Sequence, residues 1–93
     1  MNRLIYKDKE IQVYEVDRTW SYIQYSVRWT AFAGARPVRI LKRENGEFYA
    51  RFNSLEGYPL VALERCLNDA KHELSVDNYH LTLEKFKVSC ENV

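Results

Sequence analysis

Apolar and polar positions alternate with a period of two through the middle of the chain. Ile23, Tyr25, Val27, Trp29 and Ala31 interleave with Gln24, Ser26, Arg28 and Thr30. A helix would scatter the first set around its circumference, so the stretch predicts a strand with one buried face. Upstream, RLIY and EIQVYEV flank the polar KDK and predict a short N-terminal hairpin. Downstream, AGARP ends the long strand, because Pro37 has no N–H for a ladder and Gly34 permits a tight turn.

Asn45-Gly46 is the strongest hairpin signal in the sequence. Two loop lengths compete there. A two-residue loop sets Arg43 opposite Phe48 and Arg39 opposite Phe52, mixing charge and apolar groups on both faces. A three-residue loop, with Gly46 left-handed after a type I turn, pairs Arg43 with Glu47. It also gathers Val38, Ile40, Phe48, Ala50 and Phe52 on one side. One face must be buried, so the longer loop is expected.

GYPLVALERCLNDAKHELS predicts the one long helix. Pro59 suits its first turn, and Leu60, Leu63, Leu67, Ala70 and Leu74 recur at three-four spacing. Glu64, Arg65, Asn68, Asp69, His72 and Glu73 take the opposite side. Beyond Asp77-Asn78, YHLTLEKFKVSCENV reads as a last strand whose parity slips between Leu83 and Phe86, predicting a bulge or short turn. The fold class is therefore α+β: an antiparallel sheet of four to six strands with one long helix packed on one face, in the order ββ-βββ-α-β.

The bulk numbers fit that architecture. Ninety-three residues make a single domain spanning 1–93, with no repeat or linker, and 46% hydrophobic residues can build a core. No apolar run is long enough to cross a bilayer, so no membrane partner is expected. MNRLIYKDKEIQVYEVD carries charges where a signal peptide needs an apolar stretch, which points to a cytoplasmic protein. Cys66 and Cys90 are then two reduced thiols, Cys66 half-buried on the helix.

The sheet face opposite the helix is the candidate working surface. It carries Arg28, then Arg39, Leu41 and Arg43, then Glu47, Tyr49 and Arg51, with Trp20 and Tyr22 sharing its parity. Arg39 lies opposite Arg51, a like-charge pair that disfavours strand pairing and that an acidic group would relieve. Net charge is only +1, yet residues 28–51 hold six basic and two acidic side chains while residues 54–77 hold two basic and five acidic. The molecule is thus expected to be a dipole with its positive pole on the open face. A merely solvated face uses the same residues, because antiparallel sheets often leave one side wet.

Three classes of function compete. Three strands followed by a helix resemble, in order of elements, the arm-binding domains of phage-type integrases, which read DNA with a three-stranded sheet. That resemblance implies Arg28, Arg39, Arg43 and Arg51 on phosphate or guanine and Tyr49 on a sugar or base. NGEFYARF resembles the aromatic strand of RNA-recognition motifs, but the helix that should precede the hairpin is missing. A protein partner with an acidic surface, or a second copy of the chain, fits the near-neutral total better. Arginine, tyrosine and tryptophan dominate such interfaces. Catalysis is disfavoured: there is no phosphate loop or nucleophile elbow, and Cys66 and His72 lie on different sides of the helix. Cys66, His72, His80 and Cys90 have no usual zinc spacing. The sequence thus predicts a non-enzymatic binding module without cofactor or metal, favouring a protein partner, with nucleic acid as the alternative.

Overall fold

The computed structural model describes residues 2–53 and 57–74. Five strands form one antiparallel sheet: β1 (Arg3–Lys7), β2 (Ile11–Arg18), β3 (Tyr22–Trp29), β4 (Arg36–Lys42) and β5 (Phe48–Phe52). Each strand pairs with its chain neighbour, giving the order β1-β2-β3-β4-β5. Helix α1 (Leu60–Glu73) lies against all five on one face. This is the expected α+β layering. The strand expected over residues 79–93 lies outside the described residues, as do His80, Glu84 and Cys90.

Period-two burial selects the face. Ile11, Val13, Ile23, Tyr25, Val27, Val38, Ile40, Phe48, Ala50 and Phe52 are buried beneath Ala62, Leu63, Cys66, Leu67 and Ala70 of α1. At one end, edge-to-face rings run from Trp29 through Phe32 and Tyr58 to Phe52, with centroid separations of 5.2, 5.3 and 4.9 Å. Tyr58 donates to the Pro37 carbonyl at 2.7 Å, and burial pushes its phenol up to about 12.

The turns are built by the residue types their geometry requires. In the first, Asp8 Oδ1 accepts from the backbone N–H groups of Glu10 and Ile11, and Oδ2 from the Tyr6 hydroxyl. In the second, Thr19 Oγ1 accepts from the N–H groups of Ser21 and Tyr22. In the β4–β5 loop the Gly46 N–H donates to the Arg43 carbonyl, the Arg43 N–H donates to the Glu47 carbonyl, and Gly46 has φ +86°. The three-residue loop therefore forms, and Arg39 faces Arg51 as expected. Gly46→Ala places a Cβ in the left-handed region, so it should destabilise the domain by about 1–2 kcal/mol in chemical denaturation.

Several expectations are corrected. Pro37 is inside β4, opposite Ser26, one residue past the strand start, where a missing N–H is tolerated. β3 ends at Trp29, leaving Ala31 exposed in the turn. Leu60 is 48% exposed at the first helical turn, and Cys66, expected to be half-buried, is at the centre of the packed helix face. Asp69 and Glu73 do not face away from the sheet. Asp69 Oδ2 accepts from the Tyr25 hydroxyl and Arg3 Nη2, both at 2.7 Å, and Glu73 Oε1 pairs with Arg18 Nη2 at 2.8 Å. Glu15 joins both arginines.

A register shift between Glu15 and Asp17 makes this cluster possible. Glu15 is on the helix side by regular alternation with Ile11 and Val13, and the extra residue after it brings Arg18 to the same side and Asp17 to the other. Hydrogen bonds from Arg18 hold both the Glu15 and Glu73 carboxyls below their ordinary range. Folded-state pKa values below the unfolded ones mean that this stabilisation is present at neutral pH and lost as pH falls through the folded values. Thermal unfolding should therefore show a midpoint that drops as pH is lowered below about 4.

Candidate binding face

With the buried set fixed, the remaining strand residues form rows across the open face. Gln24, Arg39 and Arg51 align across β3, β4 and β5. Tyr22, Leu41 and Tyr49 make the next row towards the hairpin turns. In the other direction lie Tyr14, Ser26 and Pro37, followed by Gln12 and Arg28. The register thus gathers Tyr22, Arg39, Tyr49 and Arg51 into two neighbouring rows. Arg28 is not among them: it sits exposed two rows from Arg39, opposite Gln12.

Two more expected residues lie in turns rather than strands. Arg43 is the first residue past β4, and its guanidinium stacks over the Tyr49 ring at 4.3 Å. Trp20 occupies the β2–β3 turn and is 86% exposed. The two turns share one end of the sheet, because the Lys42 N–H donates to the Ser21 carbonyl beside Trp20. Arg43, Tyr49 and Trp20 therefore belong to the same end of the face.

Arg39 is held on two sides. Its guanidinium lies 4.3 Å from the Tyr22 ring centroid, and Nε and Nη2 donate to Gln24 Oε1 at 3.2 and 2.7 Å. Tyr22 is fixed in turn, its hydroxyl donating to Asp17 Oδ2 at 3.1 Å. Ring stacking and neutral acceptors orient a guanidinium without cancelling its charge. Such prior ordering lowers the side-chain entropy cost of binding. Gln24 was legible as an outward residue, but its role as the acceptor that orients Arg39 follows only from the β3–β4 register.

Some of the acidic charge counted on the helix side is met by arginines from the first two strands. Two helix carboxylates, Asp69 and Glu73, are neutralised by Arg3 and Arg18, so the helix side is less negative than its composition implies. Arg39 and Arg43, by contrast, have no carboxylate partner among the described residues. Glu15, Asp69 and Glu73 are paired on the helix side, whereas Arg39 and Arg43 on the open face keep their charge uncompensated by a carboxylate among the described residues.

Among the described residues, no group of three or more His, Cys, Asp or Glu side chains is placed to hold a metal, and no helix is long and apolar enough to cross a membrane. Burial at the helix–sheet interface raises the Cys66 thiol well above its ordinary range, the opposite of what a nucleophilic thiolate needs. The arrangement offers flat rings, fixed guanidinium groups and amides on one face. Comparison with protein-family models, curated proteins and solved structures gives no match to this chain.

Proposed function

We propose that the protein is a small non-enzymatic binding module that takes an acidic protein surface on its open sheet face. Trp20, Tyr22, Arg39, Arg43, Tyr49 and Arg51 form the contact set, with Arg28 at its rim. The observation that carries this reading is the ordering of Arg39 and Arg43 on tyrosine rings, with no carboxylate among the described residues paired to either. Interface hot spots favour these residue types, and a fixed guanidinium suits bidentate contact with a carboxylate. A net charge of +1 favours a local, complementary contact over general attraction to a polyanion.

Nucleic acid is the second reading, supported by the exposure of Trp20 beside tyrosine rings, since bases stack on such surfaces. Both readings use Arg39 and Arg51, which point away from the core, so the Arg39→Ser/Arg51→Ser variant should keep the fold. A protein retained by the immobilised wild type, released by salt and not retained by the variant is the expected result. A mobility shift of duplex or single-stranded DNA at low salt, lost in the variant and weakened by added salt, would transfer the face to nucleic acid. Light scattering that shows a dimer of the wild type and a monomer of the variant would make the partner a second copy.

A further inference from the structure

We infer that the partner lays an amphipathic helix across the open face, with two carboxylates seven residues apart on Arg39 and Arg43 and an apolar side chain between them on Leu41. This rests on the open face being the working surface and names the segment of the partner that it takes. Tyr22, Leu41 and Tyr49 are direct neighbours across β3, β4 and β5, all half-buried on the open face. The Arg39 guanidinium lies over the Tyr22 ring and the Arg43 guanidinium over the Tyr49 ring, each at 4.3 Å. Both arginines follow from β4, yet their charges lean to opposite sides of it, and Leu41 stands between. Gln24 takes Nε and Nη2 of Arg39 and leaves Nη1 without an acceptor among the described residues. Neither guanidinium is paired with a carboxylate among those residues.

The spacing selects the shape of the partner. Two strand separations put Tyr22 and Tyr49, and the cations on their rings, about 10 Å apart. In a helix, seven residues rise about 10.5 Å over nearly two turns, so side chains i and i+7 share a face with i+3 and i+4 between them. An extended segment brings same-face side chains to about 7 Å or about 13 Å, short or long of that distance. β4 is also paired on both sides, so no ladder position is open to an added strand at this place. A helix satisfies its own backbone and leaves no N–H unmet against the rings and the leucine. Glu or Asp at i and i+7 completes the charge complementarity, each accepting from a guanidinium already ordered on its ring.

The test is a titration of the full chain with three synthetic peptides, read at the Arg39 and Arg43 Nε–Hε and Trp20 indole N–H resonances. The first is a helix former with Glu at i and i+7 and Leu at i+3 and i+4. The second has the same composition with one Glu moved to i+5, off that face. The third is the first with a central proline that breaks the helix. The first should give saturable shifts and bind about tenfold or more tighter than the other two. Arg39→Gln and Arg43→Gln should each weaken it by about tenfold, and Arg65→Gln on α1 should leave it unchanged. In whichever arginine variant has lost its partner, changing the Glu at i+7 to Gln should cost nothing further. Binding of the first peptide that survives both arginine substitutions would overturn the docked helix. Equal affinity for all three peptides overturns the helix and leaves the acidic-partner reading standing; no shift at these resonances with any of them removes both. A single-stranded oligodeoxynucleotide that shifts the same resonances more tightly, or broadening of them with protein concentration alone, would give the row to nucleic acid or to a second copy.

Discussion

Asp69→Ala is expected to destabilise the domain by about 2–3 kcal/mol, measured by chemical denaturation at neutral pH. The carboxylate accepts from Tyr25 and from Arg3, and the two donors differ in what they lose. The Arg3 side chain is 41% exposed and can turn to water, so its share of the loss is small. Tyr25 is fully buried, and its hydroxyl would be left beneath the helix without an acceptor. Burial and the Asp69 carboxylate together push that phenol far above its ordinary range, so it stays a neutral donor at any working pH. Tyr25→Phe removes donor and demand together and should cost about 1 kcal/mol, less than removal of the acceptor. If Asp69→Ala were no more harmful than Tyr25→Phe, the bond would not tie the helix to the sheet.

The second large effect separates neighbours in β5. Phe48 is 1% exposed and belongs to the buried core cluster; Tyr49 is the next residue and faces outward beneath Arg43. Phe48→Ala should cost about 3–5 kcal/mol, because a ring is removed from a core that cannot fully collapse. For a domain of this size that is a large share of a total of about 5–15 kcal/mol. Tyr49→Ala should cost about 1 kcal/mol and leave unfolding cooperative, while weakening partner binding through loss of the Arg43 stack. Paired denaturation curves of the two variants check this contrast. Similar losses for both would mean that burial in β5 does not alternate as described.

The parts of this fold that local rules govern were legible. Asn45-Gly46 and the need to bury one face were enough to select the loop that sets Arg39 opposite Arg51. Ile23, Tyr25 and Val27 announced their strand by alternation. What escaped depends on contacts distant in sequence. Asp69 looked solvent-facing because helical periodicity says nothing of Arg3, sixty-six residues away, or of a tyrosine hydroxyl reaching up from the sheet. The bulge in β2 that turns Arg18 towards the helix, beside Glu15, has no turn residue to announce it. Trp20 shares the parity of the outer face but lies in the β2–β3 turn, since parity continues past the point where pairing stops; Arg43 closes the β4–β5 loop against Glu47 as expected.

The central claim is that recognition belongs to the open face and depends on its paired arginines. Amide chemical-shift mapping of the isotopically labelled protein against a short glutamate-rich, tyrosine-containing peptide tests it most directly. Shifts confined to Trp20, Tyr22, Gln24, Arg39, Leu41, Tyr49 and Arg51, and abolished by Arg39→Ser/Arg51→Ser, are predicted. Shifts centred on Glu64, Arg65 and Asn68 of the helix, or a face response that persists in the double variant, would contradict it.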